Sequence, residues 1–247
     1  MKPIRLSGRS KYSKWLVFLF FPGLLSPVFC QAQLKYSERF LYAMGGGFYN
    51  SFMVSRLGVN PQGPGFDSIP AQSFAISFLS LSIEGRYNLV QLGSALSLSM
   101  ESGASLGFGI TIPTEDLKYG NAGLGSVSFP AMASLNIGQS ATRSSRIPLG
   151  IVFGMGWEGN VTPVIATNTK AITRSPQFWI VPAFKAGLRV TTVGMPVEFN
   201  IRFGKQRNPD LFIDPLGNTR YFRAGSFHWN LIVWINPHHD KRPKQIE

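Results

Sequence analysis

Residues 197–204 read Val-Glu-Phe-Asn-Ile-Arg-Phe-Gly, and the fold prediction starts from the alternation in this stretch. Large apolar side chains occupy the odd positions, whereas acidic, amide, basic and glycine residues occupy the even ones. Successive side chains of an extended strand point to opposite faces, so a period of two indicates a β-strand with one apolar and one polar face. The stretch therefore predicts a strand whose apolar face meets either a protein core or lipid.

The same alternation recurs along most of the chain. In the segment 73–88 the apolar parity changes near Phe78, which indicates either a β-bulge or a strand end that projects beyond a bilayer. The composition agrees with an all-β fold, since 26 glycines and 17 prolines would interrupt helices. The eight predicted strands are 39–50, 73–88, 95–109, 126–138, 146–158, 178–191, 195–205 and 227–236.

The connections between these strands favour a membrane barrel, because short and long connections alternate along the chain. The short ones are 89–94, 139–145 and 192–194, and the long ones are 51–72, 110–125, 159–177 and 206–226. Outer-membrane barrels combine short periplasmic turns, long extracellular loops and an even number of strands. We therefore predict an eight-stranded antiparallel transmembrane β-barrel with four long extracellular loops, three short periplasmic turns and both termini in the periplasm.

The polarity of the two strand faces separates a membrane barrel from a soluble one. The polar faces are rich in glycine, serine and alanine, which fit a narrow lumen, and the opposite faces carry bulky apolar residues that suit lipid. A soluble sandwich with a solvated outer face is the alternative. The membrane interpretation predicts a lumen charge network of four acids and four bases. Its members are Glu84, Arg86, Glu101, Glu158, Lys185, Arg189, Glu198 and Arg202.

The two ends of the chain differ from the predicted barrel in composition. Residues 1–32 contain a basic stretch, a short apolar run and the cleavage-site sequence Cys30-Gln31-Ala32, which together predict a secretory signal peptide. A membrane anchor is the alternative. The predicted barrel domain covers 33–236, and a polar periplasmic tail follows at 237–247. The net charge of +12 is scattered without a Lys/Arg block, which argues against nucleic acid as a partner.

One region resembles a known family. Residues 83–90 read Ile-Glu-Gly-Arg-Tyr-Asn-Leu-Val, and they are followed by Leu-Ser-Leu-Ser at 96–99 and Ser-Leu-Gly-Phe-Gly at 105–109. This layout resembles the small outer-membrane β-barrels of the OmpA-like and PorT-like type, especially those of Bacteroidota, over most of 39–236. The resemblance implies an integral protein of the bacterial outer membrane and carries no catalytic signature. The polar tail departs from the aromatic last residue that is common in outer-membrane proteins.

The predicted charge network indicates a closed barrel. Unpaired charges are costly in a low-dielectric interior, so the acids and bases should pair across strands and plug the lumen. We expect a non-enzymatic protein that serves as a structural or accessory component of an outer-membrane assembly. A lipid-modifying enzyme is the second interpretation, and a narrow channel is the third. The enzyme would need a histidine beside a nucleophilic serine, and His228 is the histidine expected to face inward.

The last long connection, 206–226, is the candidate partner-binding loop, because arginine and aromatic residues are enriched at the centres of interfaces. The candidate residues are Arg207, Phe212, Arg220, Tyr221, Phe222 and Arg223. We expect outer-membrane lipid, lipopolysaccharide and another outer-membrane protein as partners. No cofactor or metal is predicted, since Asn208, Asp210 and Asp214 lack the order of a calcium-binding loop and indicate a rigid turn instead.

Overall fold

The computed structural model describes residues 39–59, 66–113, 120–171, 174–192, 195–214 and 216–235. The predicted signal peptide at 1–32 and the predicted tail at 237–247 lie outside these ranges. Among the described residues, no helix is long and apolar enough to cross a membrane. The strands of the described part are β1 (Phe40–Val59), β2 (Phe66–Leu92), β3 (Leu96–Ile112), β4 (Gly123–Gly138), β5 (Leu149–Val161), β6 (Ile165–Ala166), β7 (Phe178–Thr192), β8 (Met195–Lys205), β9 (Asp210–Ile213) and β10 (Thr219–Ile235).

Eight of these strands form a closed antiparallel ring. The hydrogen-bonded order is β1-β2-β3-β4-β5-β7-β8-β10, and β10 pairs with β1 from Tyr42↔Ile235 to Leu57↔Tyr221. The two short strands stand outside the ring, β6 against β4 and β9 against β10. Because closure leaves no unpaired edge, every ring strand has a partner on both sides. The predicted eight-stranded antiparallel barrel is confirmed.

The polarity of the barrel is inverted relative to a soluble protein. In β8, Glu198, Asn200 and Arg202 are buried, whereas Phe199 and Ile201 are exposed. The same pattern holds around the ring, where bulky apolar side chains cover the exterior and serine, asparagine and charged side chains fill the interior. The soluble alternative is thereby excluded, because it requires the apolar face of each strand to be buried.

The irregular parity of β2 comes from a β-bulge. The pairing of β2 with β3 shifts between Ser77 and Leu79, which leaves Phe78 as the extra residue. Phe78 and Leu79 are both exposed, so the bulge restores an apolar exterior on each side of the shift. Of the two explanations offered by the sequence, the bulge is confirmed.

Three consecutive glycines let β1 approach both of its neighbours closely. A Cβ at Gly45 would overlap the carbonyl oxygen of Leu231 and lie 2.6 Å from the Cα of Ile232 on β10. A Cβ at Gly46 would overlap the carbonyl oxygen of Ser80 on β2. The pairing with β10 also shifts register just after Gly47. Glycine is therefore required where the first and last strands close the ring.

The strands extend further than the sequence predicted at one end of the barrel. Residues 51–59 and 66–72 continue β1 and β2 rather than forming a loop, and 219–226 belong to β10. The strict alternation of long and short connections is also wrong, since 60–65 is shorter than 139–148. Longer hairpin arms satisfy backbone hydrogen bonds that an irregular loop would leave to water.

The ends of the described chain lie together. Tyr42 near the start of β1 pairs with Ile235 at the end of β10. Because the strands alternate in direction, the connections 93–95, 139–148 and 193–194 lie at this same end, which we call the turn end. The connections 60–65, 113–122, 162–177 and 206–218 lie at the other, which we call the loop end.

Candidate functional site

All eight residues of the lumen charge network lie inside the barrel. Each has at most 5% of its surface exposed, although the residues come from five different strands. The inward parity of each strand brings them together, because every second side chain points into the narrow interior. Four carboxylates and four cationic groups balance in formal charge.

Lys185 on β7 is the centre of this network. Its Nζ lies 3.2 Å from Oε2 of Glu84, 2.9 Å from Oε2 of Glu101 and 2.9 Å from Oε1 of Glu198. Only Glu198 comes from a strand adjacent to β7, so the other two bonds cross the lumen. A single ammonium group thus joins both walls of the barrel.

Two arginines hold the remaining carboxylate oxygens. Arg189 Nε lies 2.5 Å from Oε2 of Glu198, and one of its terminal nitrogens lies 3.7 Å from Oε1 of Glu101. Arg202 forms an ion pair with Glu158 and lies 3.5 Å from Oε1 of Glu84. Each of the four buried carboxylates therefore has at least one cationic partner, which is the condition for charges to remain in a dry interior.

Arg86 departs from the predicted pairing. It contacts no carboxylate among the described residues, although it stands opposite Glu101 in the β2–β3 register. Instead it donates to Oδ1 of Asn136 at 2.9 Å and to the carbonyl oxygen of Ser140, and its guanidinium lies 4.5 Å from the ring centre of Trp234. A π-face and neutral oxygens thus stabilise this cation in place of a carboxylate.

His228 joins the network at its loop-end side. Its Nε2 lies 2.8 Å from Oε1 of Glu158, and its Nδ1 lies 2.9 Å from Oδ1 of Asn50. The ring is 1% exposed and packs edge-on against Phe52, with centroids 5.1 Å apart. The prediction that His228 faces inward is confirmed, and both ring nitrogens are in hydrogen-bond contact.

Two apolar clusters lie inside the barrel next to the charges. The turn-end cluster consists of Leu41, Ala43, Ile232 and Trp234. The loop-end cluster consists of Phe52, Val54, Ala75, Trp179, Val181, Phe222 and Ala224. Along β10 the inward residues pass from Trp234 and Ile232 through His228 to Ala224 and Phe222. The turn-end cluster lies level with part of the charge network, since Ala43 pairs with Glu84 and Ile232 with Glu198.

The charge network leaves little free space around Lys185. A cavity of about 10 Å³ lies among Glu84, Glu101, Lys185 and Arg202, which is about the space that one water molecule needs. Trp234 lies beside the network and donates from Nε1 to Oε2 of Glu198 at 2.8 Å. The arrangement can hold charge and fix side chains, but it has no room for an organic substrate.

The sequence analysis missed several inward residues that complete the network. Asn136 accepts from Arg189 as well as from Arg86, and Asn200 donates to Oε1 of Glu198 at 2.8 Å. The asparagines sit at inward parity in β4 and β8, so strand alternation alone could have identified them. Trp234 gave no such signal, because apolar residues occupy both parities near the end of β10.

The six candidate partner-binding residues do not form one exposed loop. Phe222 is buried in the loop-end cluster, and Phe212 on β9 packs against that cluster. Arg220 bonds to Asp214, with Nε 3.2 Å from Oδ2. Arg207 is exposed in the 206–209 connection, whereas Tyr221 and Arg223 are half-buried on the outer face of β10. The prediction of a loop at 219–226 is therefore corrected, and the binding role stays a prediction.

The oxygen-bearing residues of this connection form a turn. Asp214 Oδ1 accepts hydrogen bonds from the backbone nitrogens of Leu216 and Asn218, each at 2.9 Å. Burial alone would raise the pKa of the Asp214 carboxyl, but bonds from Asn218, Arg220 and Leu216 outweigh it and hold this pKa below its usual range. Within the described ranges, no group of three or more acidic, histidine or cysteine side chains is placed to hold a metal ion.

A closed ring of β-strands with an apolar exterior and a charged interior defines an integral membrane β-barrel. No protein-family model matches this chain, and no curated protein matches its sequence. Among solved structures it is similar to the outer membrane protein OprG from Pseudomonas aeruginosa, at 9% identity and a TM-score of 0.42, over 80% of this chain and 97% of that one. It is also similar to Neisserial surface protein A (NspA), at 11% identity and a TM-score of 0.37, over 79% of this chain and 96% of that one. It is similar as well to the outer membrane protein AlkL in lipid bilayers, at 14% identity and a TM-score of 0.39, over 83% of this chain and 94% of that one.

Proposed function

We propose that this protein is a closed barrel of the bacterial outer membrane, with its turn end in the periplasm and its loop end outside the cell. The observation that supports this proposal is the Lys185 bridge between opposite walls, with a cavity of only about 10 Å³ beside it. An ion crossing the lumen would have to shed its water and displace paired charges, which is costly. The lumen then acts as a plug that holds the barrel together.

The closed lumen is tested by electrical recording. Purified protein inserted in a planar lipid bilayer should give no stable conductance steps. Stable open steps would overturn the plug and favour the narrow channel, the third interpretation from the sequence. A matched variant, Lys185→Ala, removes the central bridge and should increase transient leak if the network is what seals the lumen.

The orientation is tested by proteolysis of whole cells. Arg207 is exposed in the 206–209 connection at the loop end, and Arg146 is exposed in the 139–148 connection at the turn end. Trypsin added to intact cells should cut after Arg207, and it should cut after Arg146 only when the outer membrane has been opened. Cleavage of intact cells at Arg146 alone would reverse the orientation. Heat-dependent mobility in gels tests separately whether the barrel is folded.

The proposed role is that of a structural or accessory component of an outer-membrane assembly. Its support is an apolar surface on the hairpin outside the ring, where Leu211, Ile213 and Leu216 are each at least 63% exposed. Beyond the bilayer this surface would face water, and monomeric soluble proteins rarely leave large apolar patches exposed to water. Deleting 209–219 should abolish a companion protein that co-purifies with the wild type, and deleting 167–171 from the neighbouring connection is the control. A companion protein that still co-purifies after both deletions would contradict the role of this hairpin.

We also propose that the protein is not an enzyme, against the second interpretation of lipid modification. The supporting observation is that Asn50 and Glu158 occupy both ring nitrogens of His228 within the interior, away from the lipid-facing exterior. A base that activates a serine needs one ring nitrogen for that serine. The finer likeness to OmpA-like and PorT-like barrels of Bacteroidota stays a prediction from the sequence.

A further inference from the structure

The outer face of the barrel has a groove near its loop end. It lies where β10 passes between β8 and β1, and it has a volume of about 290 Å³, close to the lower limit for ligand pockets of roughly 300 Å³. Its floor is the backbone around Gly225, an outward-facing position at which no side chain covers the exterior, together with the neighbouring backbone of Gly204. A Cβ at Gly225 would lie 3.3 Å from the carbonyl oxygen of Gly204 and within 4 Å of no other described neighbour outside its own chain segment.

The walls of this groove are apolar and face outward. Phe203 and Met53 are 48% and 46% exposed, and Phe74 and Phe227 are half-buried beside them. The strand register sets these residues side by side, with Phe203 opposite Phe227 and Met53 opposite both Gly225 and Phe74. On the exterior of a membrane barrel such walls contact acyl chains.

Two cationic residues stand at the rim of the groove on the loop-end side. Lys205 pairs with Gly225 across the β8–β10 ladder, and Arg223 lies two residues further along β10, about 7 Å away along the strand. Neither forms an ion pair with any residue that the structure describes. The Nε of Arg223 is buried and has no hydrogen-bond partner in the described part of the chain. The rim thus offers two uncompensated positive charges beside apolar walls.

We propose that this groove binds one lipid A molecule of the outer leaflet, with a phosphate on Lys205 and Arg223 and an acyl chain between Phe203, Phe227 and Met53. The inference rests on the proposed orientation, which places the loop end in the leaflet that contains lipopolysaccharide. Charge complementarity carries the choice of ligand, because a guanidinium and an ammonium bind a phosphate through charge-assisted hydrogen bonds. A protein segment would need to supply both an acid and an apolar side chain in an environment where lipid already supplies both.

Native mass spectrometry of the folded barrel in a neutral detergent tests the proposal, with diphosphoryl lipid A as the probe. The wild type should bind one lipid A. Lys205→Gln combined with Arg223→Gln should weaken binding by about tenfold or more, since each cation near an anionic lipid headgroup adds to the affinity. Gly225→Leu should weaken it comparably by filling the floor. The controls are Arg146→Gln with Lys170→Gln, which removes two exposed charges elsewhere, and Gly159→Leu, which fills an outward glycine on β5.

Three results would each contradict the proposal. Equal lipid A binding by the wild type and the double glutamine variant would overturn it, even if Gly225→Leu failed to fold. Phosphatidylglycerol bound as tightly as lipid A would make the site a general phospholipid site instead. A dimer that disappears in Gly225→Leu would assign the groove to a second copy of the chain. Heat-dependent gel mobility, measured on every variant, separates loss of this site from failure of the proposed membrane barrel.

Discussion

Nζ of Lys185 on β7 lies 2.9 Å from Oε2 of Glu101 on β3, and these two strands are not neighbours in the ring. The bond therefore crosses the lumen instead of following the sheet. Backbone ladders fix only adjacent strands, so a contact between opposite walls adds a constraint that the sheet cannot supply. It resists flattening of the barrel and fills its centre.

Replacing Lys185 with methionine should strongly destabilise the barrel. The substitution keeps most of the side-chain volume, but it removes the cation that Glu84, Glu101 and Glu198 share. Breaking a buried ion pair by removing one partner costs about 3–5 kcal/mol. Tryptophan fluorescence during urea unfolding from lipid vesicles measures the change. Lys170→Met, at an exposed position outside the barrel, is the control and should leave the unfolding midpoint unchanged. An unchanged midpoint for Lys185→Met would show that the network is not needed for stability.

Replacing Gly45 with alanine should impair closure of the ring. The added methyl group would meet the carbonyl oxygen of Leu231 and the Cα of Ile232, and backbone atoms cannot move aside as a flexible side chain can. Overpacking of this kind costs about 1–3 kcal/mol or more. Gly159→Ala is the matched control, since its nearest neighbour would be a ring carbon of Phe178 at 3.5 Å. The yield of the heat-modifiable form after refolding measures closure, and equal yields for both variants would refute the requirement.

The sequence predicted which face each charged residue occupies, but it could not predict which charges meet. Alternation with a period of two assigns a side chain to the lumen or to lipid, and all eight charges follow it. The partners of Lys185 depend on how far each strand is shifted along its neighbour, which alternation does not encode. Arg86 shows the consequence, because it stands opposite Glu101 in the register yet bonds to Asn136.

The ends of the strands were less predictable than their faces. Turn residues within 60–65 correctly indicated a reversal, but the flanking arms at 51–59 and 66–72 were assigned to a loop. Glycine and proline in this region weaken the alternation that marks a strand. Trp234 was missed for a related reason, since Leu231, Ile232 and Val233 beside it are apolar at both parities. Its inward side chain is set by closure of the ring, which is a long-range property.

The Asp214 turn should loosen in acid. The folded carboxylate accepts hydrogen bonds from Leu216, Asn218 and Arg220, which hold its pKa below the usual value of about 4. Because the folded pKa is depressed, this stabilisation is fully present above the unfolded pKa and is lost as the pH falls through the folded one. Hydrogen exchange at the Asn218 amide, corrected for its intrinsic pH dependence, should show protection that fades below about pH 4. Asp214→Asn cannot titrate, so a fading of the same size in that variant would exclude the carboxylate as the cause.

His228→Ala should destabilise the barrel without changing lipid A. The substitution leaves Oδ1 of Asn50 and Oε1 of Glu158 without the imidazole that contacts both, and a buried polar group left unsatisfied costs about 1–3 kcal/mol. The unfolding midpoint in lipid vesicles should therefore fall. The acyl pattern of lipid A, read by mass spectrometry, should be identical in cells that express the wild type, the variant or neither, because Asn50 and Glu158 occupy both ring nitrogens of His228 and leave neither to activate a serine. A pattern that changes with the wild type but not with His228→Ala would instead establish a lipid-modifying enzyme, and the role of the interior as a plug would have to be abandoned.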